Sequence, residues 1–120
     1  MKLTYGDVMR GMPAMFELLR LKPAPTIALA AKITRNCRLL QQAAQDYEAT
    51  LKRQKEAEPT CDREALGVEL MAVEIDVEIH VVTLAELVAC EEKRPAFELP
   101  AGILYDLAFM FELEEPLTTS

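Results

Sequence analysis

Residues 26–58 read TIALAAKITRNCRLLQQAAQDYEATLKRQKEAE and contain neither glycine nor proline. Their apolar positions are spaced alternately three and four residues apart, which is the heptad pattern of a helix packed along one side. The pattern predicts a helix of about 30 residues, ~45 Å long, that ends before Pro59. The heptad residues are Ala30, Ile33, Cys37, Leu40, Ala44, Tyr47 and Leu51.

The heptad side chains are small or mixed in size, with Ala30, Cys37 and Ala44 among them. Such residues favour close packing against another helix of the same chain over a leucine-rich zipper. We therefore expect an intramolecular helical hairpin over residues 1–57, with a coiled-coil dimer as the alternative.

The partner helix of this hairpin is expected at the N-terminal end. Thr4 and Asp7 have the spacing of a capping box, and apolar residues follow at helical intervals from Val8, which predicts a helix over residues 5–21. Pro13 lies inside it, so we expect either a kink or two short helices. The KPAPT run at residues 22–26 cannot continue a helix and predicts a turn.

The hydrophobic period changes in the second half of the chain. Residues 73–81 read VEIDVEIHV, an alternation typical of a strand with one buried and one solvated face. Because a lone strand is not stable, it needs residues 1–4, residues 94–99 or another protein as its partner. We interpret its polar face as a solvated charged surface, with a metal or acid/base site as the weaker alternative; it carries Glu74, Asp76, Glu78 and His80.

Three further helices are predicted around this strand. Asp62 or Thr60 begins a short helix that ends at Met71, and the Thr83–Glu86 capping box begins another over residues 84–92. The last helix, over residues 100–113, starts with Pro100 at its first position.

The last helix carries the candidate binding residues. Its face formed by Ile103, Leu107, Met110 and Phe111 is predicted to lie in the core. Tyr105 and Phe109 are four residues apart on the opposite side, so we predict a paired aromatic patch that contacts a partner. Burial of both rings elsewhere in the fold is the alternative.

Charge is divided unevenly along the chain, whose net charge is −7. Residues 1–57 hold 10 basic and 5 acidic groups, and residues 58–120 hold 3 basic and 15 acidic groups. This division indicates a basic layer packed on an acidic layer or a simply solvated charged face, with a basic face kept for an anionic partner as the alternative. The basic stripe of Lys32, Arg35 and Arg38 has no aromatic residues between its members, so nucleic acid is not an expected partner.

Catalytic and cofactor motifs are missing from the sequence. The four glycines stand apart, so there is no phosphate-binding loop, and His80 is the single histidine. Three widely spaced cysteines without a CxxC pair are typical of free thiols in a reducing compartment. We predict no catalytic, cofactor or metal site, no membrane segment, and a cytoplasmic location in a bacterial host, with virion association as the alternative.

The order of these motifs carries a family resemblance. The MKLTYGD start, the KPAPT turn, the long charged helix and the VEIDVEI strand resemble small uncharacterised proteins of tailed bacteriophages and prophages. The resemblance covers residues 1–113 and implies origin, without functional residues that could be transferred to this chain.

The predicted fold is a mostly helical α+β domain over residues 1–115. It comprises the hairpin (1–57), an acidic part with a small β element and C-terminal helices (60–113), and a frayed tail (116–120). We predict a non-enzymatic protein–protein interaction protein, either a minor assembly or connector component or an accessory factor, whose partner is another protein or itself. The alternative is an inhibitor of a host nucleic-acid-handling or defence protein that acts through its acidic half.

Overall fold

The computed structural model describes residues 1–112. The chain forms a mostly helical α+β fold, which confirms the predicted class. Three predictions lie outside the described residues: the frayed tail over 116–120, the domain limit at residue 115, and residue 113 as the end of the last helix. In chain order the elements are β1 (Lys2–Thr4), α1 (Tyr5–Leu19), α2 (Ile27–Ala57), α3 (Arg63–Met71), β2 (Glu74–Asp76), β3 (Val82–Thr83), α4 (Leu84–Lys93), α5 (Ala101–Asp106), a 3-10 turn (Ala108–Met110) and β4 (Phe111–Glu112).

The helical hairpin formed by α1 and α2 is confirmed. The heptad face of α2 is directed inward: Ile33 and Leu40 are almost completely buried, and Tyr47 packs against Tyr5 of α1 with ring centroids 5.6 Å apart. The buried face is wider than the heptad pattern alone, because it also includes Leu29, Asn36 and Ala43. Five of the seven heptad residues are buried within the chain, whereas Ala30 and Ala44 are half-buried.

The α1 helix runs through Pro13 as a single element, so the predicted division into two short helices is wrong. Pro13 is exposed, and the capping box supports the start of the helix: Thr4 N–H donates to Asp7 Oδ2 at 3.0 Å, and Asp7 N–H donates to Thr4 Oγ1 at 3.1 Å. The apolar face of the helix packs into the core through Val8, Met15 and Leu18. This packing and the cap stabilise the helix despite the missing proline donor.

The strand predicted for residues 73–81 is much shorter than the sequence pattern. Only β2 is paired, antiparallel to β1, with Leu3 opposite Ile75. Residues 1–4 are thus confirmed as the partner, and residues 94–99 are not. Beyond Val77 the chain turns, with Ile79 N–H donating to Val77 O at 2.9 Å, and then bonds to side chains of α2.

The predicted helix over residues 100–113 is also shorter than expected. The α5 helix ends at Asp106, because Leu107 leaves the helical region with φ −111° and ψ 24°. The chain then forms the 3-10 turn and β4, which pairs in parallel with β3. Ile103, Leu107 and Met110 are nevertheless buried, as predicted, whereas Phe111, predicted to lie in the core with them, is half-buried and packs against it.

Candidate functional site

The hydrogen bonds between β1 and β2 use alternate residues of β2. The N–H of Tyr5 donates to Val73 O at 3.1 Å, and the N–H of Val77 donates to Met1 O at 2.9 Å. Between these two residues of the β2 side, Ile75 lies opposite Leu3 of β1. In an antiparallel ladder, the intervening residues direct their backbone N–H and C=O groups toward the other edge.

The outer edge of β2 is therefore formed by the backbone groups of Glu74 and Asp76. In the sheets formed by residues 1–112, β1 is the sole strand beside β2. Both residues are exposed. An unpaired strand edge with accessible N–H and C=O groups is a template for binding another extended chain.

A groove of about 310 Å³ runs between β2 and α2. Its size is at the lower end of the range for ligand-binding pockets, about 300–1,000 Å³. Four consecutive residues, 75–78, line it, from β2 and the two residues that follow. The apolar lining comes from Tyr5, Leu39, Ala43, Ile75 and Val77, and the polar lining from Gln42, Asp46, Asp76 and Glu78.

The polar rim of this groove, which we call the acidic groove, carries three carboxylates and no cation. Asp46 belongs to α2, whereas Asp76 and Glu78 come from β2 and the residue pair that follows it. All three are exposed. An apolar base with a negatively charged rim favours a ligand that combines apolar and cationic side chains.

A buried amide of α2 bonds to the chain two residues beyond the acidic groove. Asn36 of α2 is 0% exposed. Its Nδ2 donates to His80 O and its Oδ1 accepts from His80 N–H, both at 2.8 Å. The Asn36 amide thus bonds both backbone groups of His80, as a neighbouring strand would, beyond the point at which Val77 pairs with Met1 of the β1 side.

An ion pair reinforces the same junction. Lys32 Nζ donates to Val81 O at 2.9 Å and to Glu86 Oε1 at 2.7 Å. The hydrogen bond from Lys32 lowers the pKa of Glu86, and hydrogen bonds from Thr83 act in the same direction, while partial burial opposes them. Lys32 therefore joins α2 to α4 and is not part of the outward basic stripe that the sequence predicted. Arg35 and Arg38 are exposed.

The alternating polar residues of the predicted strand do not form a compact cluster. Glu74, Asp76, Glu78 and His80 are all exposed, as the alternation predicts for a solvated face. Within residues 1–112, no group of three or more His, Cys, Asp or Glu residues has a geometry that could hold a metal ion. The three carboxylates of this face present negative charge to solvent.

The two aromatic residues predicted to bind a partner have different environments. Tyr105 is 77% exposed, whereas Phe109 is half-buried and packs against the core. The ring of Phe109 lies beside Gly11, where a β-carbon would approach it to 3.3 Å. Because α5 ends between them, the two rings do not form the helical i, i+4 pair that the sequence predicted. A binding role for Tyr105 stays a prediction.

The three cysteines are free thiols, as predicted. Cys37 and Cys90 are buried, and burial raises the pKa of the Cys37 thiol. The Sγ of Cys90 accepts a long hydrogen bond, 3.4 Å, from Thr26 N–H. Raising the pKa keeps a thiol protonated and weakens it as a nucleophile, so Cys37 has the properties of a core residue.

Sequence reasoning missed Asn36, whose side chain bonds to the segment that follows β2. Its position between the heptad residues Ile33 and Cys37 is a detectable signal, since a polar amide beside a packed seam is expected to bond to a specific partner. The partner itself, His80, lies 44 residues away. No local pattern indicates that contact.

Comparison of this chain with protein-family models, curated proteins and solved structures found no match. Functional residues are therefore assigned from geometry and chemistry alone. Among the described helices, none combines the length and the apolar character needed to cross a bilayer.

Proposed function

We propose that this protein is a non-enzymatic protein-binding module that recognises its partner through the acidic groove. The observation that carries the proposal is the unpaired edge of β2 beside a groove with an apolar base and an acidic rim. Strand edges bind extended peptides in several known modes of recognition, with backbone hydrogen bonds for affinity and adjacent pockets for specificity.

The proposed setting is a tailed bacteriophage or prophage, as the order of sequence motifs implies. A minor assembly component or an accessory factor of this kind acts by contact with another protein. The cytoplasm of the bacterial host, or the virion, is the proposed location. The charge of −7 favours a basic partner, because opposite potentials accelerate encounter and oppose contact with acidic proteins.

Affinity capture from the host lysate tests this function. The groove variant combines Asp46→Asn, Asp76→Asn and Glu78→Gln, and the matched control combines Glu48→Gln, Glu69→Gln and Glu92→Gln at other exposed positions. We expect the wild type and the control to retain one protein in stoichiometric amount, and the groove variant to lose it. Equal capture by the groove variant, or no retained protein, would contradict the proposal.

A second function, inhibition by charge mimicry of nucleic acid, is favoured by the carboxylates of Glu74, Asp76 and Glu78. All three are exposed at alternate positions of the chain, and Glu74 and Asp76 of β2 are about 7 Å apart at the rise of a strand. A mimic competes with nucleic acid for its target, so duplex DNA would displace the captured partner. A partner that DNA does not displace would exclude this alternative.

A further inference from the structure

We infer that the outer edge of β2 accepts a third β-strand from a partner whose residues alternate between basic and apolar. This inference rests on the proposed function and specifies its mode of binding. The backbone supplies the first argument. Glu74 and Asp76 direct their N–H and C=O groups away from β1, as the ladder register requires, so a chain lying along this edge would continue the ladder.

The side chains of the existing sheet supply the second argument. In β1, Lys2 lies opposite Asp76 and Leu3 lies opposite Ile75. Leu3 is buried and Lys2 is exposed, so this acidic strand already pairs with a strand that places an apolar residue inside and a cation outside. Opposite charges and matched apolar residues are favourable cross-strand neighbours. A strand with the same alternation of basic and apolar residues would complement β2 equally well at its other edge.

The acidic groove defines where the apolar and basic residues of the incoming strand would lie. Its inward side chains would contact Leu39, Ala43 and Val77, and its outward cations would face Asp76 and Glu78. Asp46 of α2 adds a third carboxylate from the opposite wall. The edge available for pairing is that of β2, residues 74–76, about 10 Å at the rise of a strand, because the chain turns just beyond it, where Ile79 N–H donates to Val77 O at 2.9 Å.

Charge also decides between a foreign partner and a second copy of this chain. A second copy that paired edge to edge would bring its own Glu74, Asp76 and Glu78 against the same residues. Like charges opposite each other destabilise a strand pair. A basic extended segment of another protein avoids this repulsion, and it is the occupant we propose.

Synthetic peptides test the strand addition without knowledge of the natural partner. The probe is the acetylated and amidated peptide TKVKVKT, and its charge-reversed control is TEVEVET. We expect TKVKVKT to bind the full chain about 10-fold more tightly than the control, measured by calorimetry. On binding, the amide protons of Glu74 and Asp76 should exchange about 10-fold more slowly. Binding without this protection would show surface attraction only and overturn the inference.

N-methylation of the peptide separates backbone pairing from charge. A strand directs alternate N–H groups to opposite edges, so one TKVKVKT variant is methylated at its even residues and another at its odd residues. We expect one variant to lose binding about 10-fold and the other to bind as the parent does. Equal affinities for all three peptides would overturn the strand addition, and so would equal losses in both variants.

The failure of this inference is distinguishable from the failure of the proposed function. If TKVKVKT gives no strand pairing but the groove variant still loses its captured protein, strand addition is wrong and the protein-binding function stands. If the captured protein is insensitive to the groove variant, the proposed function itself is wrong.

Discussion

Replacement of Asn36 by alanine tests whether its side chain substitutes for a β-strand partner. The side chain is 0% exposed and makes two hydrogen bonds of 2.8 Å to the backbone of His80. Each such bond contributes about 1 kcal/mol net, and the deleted buried atoms leave a cavity that costs roughly 1 kcal/mol more. We therefore expect Asn36→Ala to lower the free energy of unfolding by about 3 kcal/mol.

Chemical denaturation measures this loss, and amide exchange at His80 locates it. The matched control is Gln45→Ala, at an exposed position of the same helix, which should change stability by less than about 0.5 kcal/mol. A loss below about 0.5 kcal/mol for Asn36→Ala, together with unchanged exchange of the His80 amide, would refute the role we assign to Asn36.

The Asn36→Asp variant adds a test based on the sign of its pH dependence. The introduced carboxyl keeps an acceptor for His80 N–H, but when ionised it has no donor for His80 O. Burial and the facing carbonyl would raise its pKa in the folded protein above the unfolded value, near 3.9. Its destabilisation should therefore increase as pH rises from about 4 to 7. A penalty that is independent of pH would contradict the hydrogen-bond geometry.

The remaining predictions concern other parts of the fold. Leu40→Asp places a charge at a completely buried heptad position and should cost more than about 3 kcal/mol by denaturation. Lys32→Met removes the hydrogen bond that lowers the pKa of Glu86. A carboxyl group whose pKa is lowered by folding stabilises the folded state at pH values above its ordinary pKa, here 4.5. The wild type should therefore be more stable than the variant at neutral pH, and this difference should shrink as the pH falls below 4.5. Tyr105→Ser should leave thermal stability nearly unchanged, whereas Phe109→Ser, which removes a ring packed against the core, should cost about 1–3 kcal/mol. Equal melting temperatures for these two variants would contradict their different environments.

The sequence by itself determined the helices whose signals are local. The box of Thr4 and Asp7 begins α1 and the box of Thr83 and Glu86 begins α4, because each satisfies backbone donors within four residues. The heptad pattern determined α2 and the face it buries, since residues three and four apart share one side of a helix. The alternation around Ile75 likewise predicted which side chains of β2 are solvated.

The tertiary structure alone decided where the strand stops and where the acidic groove lies. Alternation specifies which face of a segment is buried, but not which group satisfies its backbone; at His80 that group is Asn36, 44 residues earlier in the chain. The groove needs Asp46 of α2 to lie opposite Asp76 of β2, a contact no local pattern contains. The inward position of Phe109 likewise depends on tertiary structure, because α5 ends at Asp106 and the Phe109 ring packs beside Gly11 of α1. Local hydrogen bonds and hydrophobic periodicity specify where helices and strands form. Which distant group bonds to a given backbone N–H or C=O, as Asn36 does at His80, is decided only when those helices and strands pack together.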